Sequence, residues 1–276
     1  MVAVRYEHRM VTRERPRFGA MLRAWRARRG MSQLQLSLRA DVSTRHVSFV
    51  ESGRSKPSRE MVLHLCRALQ VPLRESNDLL LAAGFAPAHA ETALDGPALA
   101  AANTAIDLIL RHHEPLPAVA MDRHWNLVRS NAAATQLFAR LLGERARPGP
   151  ANVVRLVFAA DGLRPCIANW AEVAHALLDR VRAEAPLGVV DDATQRLLDD
   201  VAADPELSAR PFPEPVGPLI PVRFRQRDLA LAFFSTVTTL GTPRDIALQE
   251  LRIECFFPAD AATRAAMARP GGDAGR

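Results

Sequence analysis

Residues 31–57 read MSQLQLSLRADVSTRHVSFVESGRSKP, and the fold of the N-terminal part of the chain turns on them. Gly30 closes one helix, Ser32 caps a second, Ser43 caps a third and Gly53 ends it. A serine hydroxyl accepts from the free N–H groups of a first helical turn, and glycine takes the left-handed conformation that follows a last one. The spacing predicts helices over about Ser32–Ala40 and Ser43–Ser52, with Leu34 and Leu38 inward on the first and Val47 and Val50 inward on the second. Two short helices joined by a tight turn form a helix-turn-helix.

Upstream, Phe18–Arg29 places Met21, Leu22 and Trp25 on one helical face. Downstream, Pro57-Ser58 opens a helix whose Met61, Val62, Leu65 and Leu69 recur every three to four residues. Pro72 opens a fifth, which ends at Gly84. Residues 17–84 are therefore expected to form an all-α five-helix helix-turn-helix domain. Residues 1–16 (MVAVRYEHRMVTRERP) have no clean period and read as a flexible basic arm. Residues 85–97 (FAPAHAETALDGP), with small residues and two prolines, read as a linker.

Charge divides along the same line. Residues 1–60 hold 13 arginines and Lys56 against five acidic groups, a net of +9, which leaves −3 on residues 61–276 of the +6 total. A basic head on a near-neutral body fits a polyanionic partner at one end. No apolar run approaches the length of a membrane span, and the N-terminus lacks the apolar stretch of a signal peptide, so the cytoplasm is the expected location. Cys66, Cys166 and Cys255 are odd in number and widely spaced, which argues against structural zinc and a disulfide framework and for buried free thiols.

A head that reads double-stranded DNA needs a helix whose first turn reaches base edges, phosphate anchors on either side, and an interior that fixes the angle between its central helices. Ser43, Thr44 and Arg45 open the third helix. Arg45 can fork onto guanine N7 and O6, while Ser43 and Thr44 can reach a base, a thymine methyl or a phosphate. Phe49, one turn beyond Arg45, either packs on a thymine methyl or the sugar wall or joins the core beside Val47 and Val50. Gln33, in the first turn of the second helix, can bond a phosphate together with backbone N–H groups. Arg54 and Lys56 follow the third helix, where they can grip the backbone. One such head reads only a few base pairs, so a homodimer on a two-fold site is expected.

Residues 18–84 resemble the Cro/CI-type, or xenobiotic-response-element (XRE), helix-turn-helix family of transcriptional regulators. The matching residues are Leu22, Arg26, Gly30, Ser32-Gln33, Leu36, Ser43, Val47, Glu51, Gly53, Arg54, Pro57, Ala68-Leu69 and Val71. The resemblance implies an architectural ion pair between Arg26 and Glu51. The chain departs from the family at Leu38, where alanine is common at the tight helix crossing, and at Asp41-Val42, which replaces a glycine-containing turn.

Residues 98–268 read as a second, mixed domain. It is expected to have a helix over Ala98–His113, short strands at AVAMD (118–122) and WNLVRS (125–130), and a helix from the Asn131 cap to about Leu142. Helices are expected near 151–158, 166–184 and 191–203, with an irregular proline-rich segment over 205–221. Strands are expected at LALAFFSTVTTL (229–240) and LQELRIECFF (248–257), and residues 269–276 as a disordered tail. The blocks at 121–134, 161–174 and 233–260 resemble the ligand-binding domain of MmyB-like transcription regulators. That resemblance implies an α+β, PAS-like fold around a pocket, and a long apolar ligand such as a fatty acid. Trp125, Phe138, Trp170, Phe233, Phe234 and Phe256 either line that pocket or fill a core, and Arg155 or Arg164 either meets a carboxylate head group or is solvated.

No catalytic motif stands out. His112-His113 point to different sides of a helix, and Glu172 with His175 lacks the further carboxylates of a di-metal site. No enzyme activity, cofactor or metal is expected. Two other function classes remain: a DNA-binding scaffold whose C-terminal domain mediates protein contacts and binds no small molecule, and an enzyme with a DNA-binding head.

Overall fold

Serine caps set the phase of the N-terminal helices. The computed structural model describes residues 18–145, 151–184, 192–202 and 219–268; the expected arm, the expected tail and the proline-rich segment up to residue 218 lie outside them. The helices are α1 (Phe18–Arg28), α2 (Gln33–Arg39), α3 (Thr44–Glu51), α4 (Arg59–Ala68) and α5 (Leu73–Ala82). Ser32 Oγ accepts from Gln35 N at 3.1 Å while Gln35 Oε1 accepts from Ser32 N at 2.7 Å, a reciprocal capping box. Ser43 and Ser58 cap α3 and α4 through His46 N and Met61 N. Leu22, Trp25, Val47, Val50, Val62, Leu65, Leu69, Leu79 and Leu80 are buried.

One helix face differs from expectation. Leu34 and Leu38 are 57% and 74% exposed, and α2 instead buries Leu36 and Ser37, with its cap residue Ala40. The capping box fixes the first turn, and the buried stripe then falls at 36, 37 and 40. The small residue needed where α2 meets α3 is Ser37, whose Oγ donates to Leu34 O at 2.8 Å and lies 2.9 Å from Thr44 Oγ1. The turn itself follows the reading: Asp41 adopts φ 47°, and Val42 N closes onto Ser37 O at 3.0 Å.

The chain divides into units at His89/Ala90. Residues on either side of that point, within the expected linker 85–97, are bonded within their own units. Asn77 Oδ1 accepts from Ala88 N and His89 N at 2.9 and 3.0 Å, and its Nδ2 donates to His89 O at 2.8 Å. In the second unit, Asp245 Oδ2 accepts from Thr92 N at 3.1 Å and from Thr92 Oγ1 at 2.7 Å.

That second unit is α+β. It runs α6 (Ala100–His112), β1 (Ala118–Met121), β2 (Leu127–Ser130), α7 (Ala132–Leu142), α8 (Val153–Phe158), α9 (Trp170–Glu184) and α10 (Asp192–Ala202). It continues with β3 (Val222–Gln226), β4 (Leu229–Thr238), α11 (Ile246–Glu250), β5 (Arg252–Pro258) and α12 (Ala261–Met267). The strands form one antiparallel sheet in the order β2-β1-β5-β4-β3. One face, through Val119, Met121, Leu231 and Phe233, packs against helices α7–α10. The other, through Ala118, Ala120, Ile253 and Cys255, packs against Ile106 and Leu110 of α6. The three cysteines are free and buried.

Three boundaries depart from the sequence reading. Trp125 is not in a strand; it sits at φ 66° in a turn held by Asp122 Oδ1, which accepts from His124 N and Asn126 N at 2.8 and 2.9 Å. Residues 246–250 are a helical turn rather than the start of a strand, because Asp245 caps them through Ala247 N at 2.9 Å. Strand β3, just past the prolines, was not foreseen. Its neighbour β4 supplies most of its partners, and its own burial is limited chiefly to Phe224.

Asn131 ties the first elements of this unit together. Its Oδ1 accepts from Ala118 N at 3.0 Å and Ala134 N at 2.9 Å, and its Nδ2 donates to Leu110 O at 3.2 Å and Leu116 O at 2.8 Å. Every polar capacity of this buried amide is used, and α6, β1 and α7 all end or begin on it. Asn131→Ala is expected to cost about 2–4 kcal/mol, since it strands buried backbone groups as well as a cap. Urea unfolding of the full chain would register this as a lowered midpoint for the second unit.

Candidate nucleic-acid interface and ligand cleft

Glu51 closes the last turn of α3 with a side chain fully shielded from solvent. Arg26 of α1 donates to it twice, Nε to Oε1 at 2.6 Å and Nη2 to Oε2 at 3.0 Å. Gln33 of α2 donates through Nε2 to Oε2 at 2.8 Å. Arg26 Nη1 also bonds Met31 O at 2.7 Å, and Arg23 adds a more distant charge at 3.6 Å. Burial alone would raise the Glu51 pKa; the bonds from Arg26 and Gln33, with the charges of Arg26 and Arg23, outweigh it and hold the carboxyl below its ordinary value. The same bond raises the Arg26 pKa. The expected Arg26–Glu51 pair is therefore present, with Gln33 as an unforeseen third member. Gly19 is a fourth: a Cβ there would overlap the Glu51 and Val50 carbonyl oxygens, so α1 meets the end of α3 only because residue 19 is glycine. Its spacing of three from Leu22 on the inward face was the available signal.

With positions 47, 50 and 51 inward, the opposite side of α3 faces out. Ser43 and Arg45 are exposed, and Thr44 is half-buried against Ser37. Arg54 and Lys56 are exposed beyond the helix end. Phe49 is half-buried and outside the core; the Arg45 guanidinium lies 5.1 Å and that of Arg54 5.8 Å from its ring centroid. Gln33 keeps one amide hydrogen beyond the one given to Glu51.

In the second unit the six aromatic candidates separate. Trp125, Trp170 and Phe233 are buried in the large core, and Phe138 and Phe256 pack against it. Phe234 lies on the opposite sheet face, stacked on Phe257 at 5.4 Å. Arg164 lies 3.9 Å from the Trp170 ring centroid, and Arg155 is exposed. Arg180 and Arg252, unremarked in the sequence, flank the Trp125 ring at 4.8 and 5.0 Å. Glu184 bridges them, at 3.0 Å from Arg180 Nε and 2.7 Å from Arg252 Nη2. Burial lowers the Arg252 pKa, against the pull of Glu184.

None of these side chains lines the cleft of about 380 Å³ between α7, β4 and α12. Its apolar wall includes Leu137, Leu229, Leu231 and Met267, with Glu114, Gln136 and Arg140 alongside. Arg140 pairs with Asp228 at 3.3 Å. Among the described residues no helix is long and apolar enough to cross a membrane.

The helix-turn-helix and the α+β unit that follows it each match a known family, and the two matches support a DNA-binding transcription regulator. The model of the family described as MmyB-like transcription regulator ligand binding domain matches residues 102–269, and the helix-turn-helix family model matches residues 22–76. The chain belongs to the MmyB-like regulator family, and its head is an XRE-type helix-turn-helix. No curated protein matches it significantly.

The Glu51 network makes the head acid-sensitive. A depressed carboxyl contributes stability that is complete above its unfolded pKa, about 4.3, and is lost as pH falls through the lower folded value. Glu51→Ala strands the Arg26 charge and is expected to cost about 3–5 kcal/mol near neutral pH, with a smaller loss as the medium is acidified. Thermal unfolding of wild type and variant across this range measures both.

Proposed function

We propose that this chain is a cytoplasmic, sequence-specific regulator that places α3 in the major groove of double-stranded DNA as a homodimer, and whose PAS-like C-terminal unit senses a small apolar, fatty-acid-like molecule. The observation that carries the DNA reading is the two-sidedness of α3: Glu51 holds one side, and the other presents Ser43 and Arg45 with Arg54 and Lys56 beyond. Arg45 forks onto a guanine edge. Arg54 and Lys56 hold phosphates, joined by the free Gln33 amide hydrogen and the Ser43 hydroxyl, while Thr44, whose hydroxyl hydrogen is given to Ser37, offers its methyl group. A single short helix reads few base pairs, and two copies on a two-fold site supply the rest.

Arg45→Ala should weaken the selected duplex by about 1–3 kcal/mol and relax base preference at one position per half-site. Arg54→Ala should instead weaken all duplexes alike and lower the salt slope by about 1. Binding-site selection followed by salt titrations of both variants separates these effects; unchanged binding by both removes the docking scheme.

For the ligand, the cleft beside Leu137, Leu229 and Leu231 lies near the lower end of small-molecule site volumes. A carboxylate-tipped chain would lay its tail on this wall and compete with Asp228 for Arg140. The aromatic candidates favour a second reading. They are taken up by packing or stacking rather than by the cleft, as in a scaffold that binds no small molecule. Mass spectrometry of material released on denaturing the purified protein should detect a stoichiometric lipid under the sensing reading. Its absence, with no melting shift on adding fatty acids, selects the scaffold.

A further inference from the structure

The end of α3 is a Schellman motif. Gly53, at φ 74°, donates to Val50 O at 3.2 Å, and Arg54 N donates to Phe49 O at 2.8 Å. This closure commonly brings an apolar residue after the turn onto the residue that accepts the long bond. Here the pair is Arg54 and Phe49, and the contact is a guanidinium 5.8 Å from the ring centroid. From the other direction, Arg45 lies one helical turn before Phe49 on the same face, with its guanidinium 5.1 Å from that ring. One half-buried phenylalanine thus meets the cation that opens the recognition helix and the cation that follows it. Neither arginine is paired with a carboxylate among the described residues, and the ring is the side-chain contact the two share.

We propose that Phe49 is a positioning residue for DNA recognition: its ring holds Arg45 and Arg54 at a fixed separation, so that base reading and phosphate gripping occur in one register. The inference rests on the DNA-docking reading above and replaces a direct thymine contact by Phe49 with an indirect role. A free arginine samples many rotamers, and holding it in place before encounter lowers the cost of docking. The ring adds no charge, so its loss should leave the number of displaced counterions nearly unchanged while affinity and base choice suffer.

The test uses the full-length protein and its selected duplex. Phe49→Leu keeps an apolar side chain without the ring, and Phe49→Tyr keeps the ring. Because they already exist in the free protein, two exposed cation–ring contacts cap the loss of pre-organisation at about five- to thirty-fold in affinity. Phe49→Leu is expected to lose affinity up to that limit and by more than about two-fold, to blur preference at the base read by Arg45, and to melt within a few degrees of wild type; Phe49→Tyr is expected to bind within about two-fold of wild type. In a double-mutant cycle, Arg45→Ala should cost less in the Phe49→Leu background than alone. If Arg45→Ala weakens binding but the leucine and tyrosine variants bind alike, or the cycle shows no coupling, the positioning role is overturned and docking stands. If Arg45→Ala itself leaves binding unchanged, the docking reading fails first. A large melting loss in the leucine variant, with tyrosine folding normally but binding as weakly as leucine, also overturns it, because the ring would then serve only stability.

Discussion

A carboxylate with no access to water holds the N-terminal unit in its working shape. Glu51 can stay ionised inside the head only if donors surround it, and those donors come from two other helices: Arg26 on α1 and Gln33 on α2. An apolar contact tolerates sliding by an ångström; a buried ion with two oxygens and three directed donors does not. The network therefore sets the rotation of α3 about its own axis. Once residue 51 points inward with Val47 and Val50, the 3.6-residue period sends Arg45 and Phe49 to the opposite side. The exposed groups of the recognition helix are thus a geometric consequence of how its far end is anchored.

Much of the head was legible because its signals are local. Ser32, Ser43, Gly30, Gly53 and Asp41 each act within a few residues, and the sequence displays both the residue and the turn that needs it. The Leu34 and Leu38 reading failed for an equally specific reason. Hydrophobicity implied that two leucines at i, i+4 point inward, whereas the space between α2 and α3 admits only a small side chain, and Ser37 fills it while satisfying its own hydroxyl. A serine that pairs with Thr44 across the crossing can be recognised only once the crossing exists. Gly19 was obscured in the same way: nothing within α1 demands a glycine there, and the demand comes from carbonyls on another helix.

In the second unit, long-range pairing decides more, and less was legible. Strand β1 was evident from its continuous apolar run, which is what a central strand covered on both faces requires. Its place between β2 and β5 in the order β2-β1-β5-β4-β3 was not, because β5 is separated from it by most of the domain. Adjacent phenylalanines show the difficulty in small compass. Phe233 and Phe234 are chemically identical, yet strand alternation places one in the large core and the other on the opposite face against Phe257. Treating aromatics as one pool of pocket residues ignores that alternation. The Arg180–Glu184–Arg252 cluster over Trp125 was invisible for a related reason: a charged residue on a helix reads as solvated until a strand brings a second charge beneath it.

Affinity and selectivity place different demands on a basic head that binds DNA. The excess of nine positive charges in residues 1–60 draws in any polyanion, and that attraction weakens with salt irrespective of sequence. Base choice must come from the few groups that reach an edge in the groove, and an arginine does this well only when its planar fork is aimed. Exposed arginines elsewhere on the surface can remain mobile, since a phosphate contact tolerates a range of geometries. An arginine that reads a base edge has no such latitude. Restraint along α3 is graded: a fully enclosed carboxylate at its end, a serine cap for its first turn, and an aromatic ring beside the Arg45 guanidinium. On the proposed docking, rigidity is thus concentrated on the element that discriminates, while diffuse charge serves the encounter.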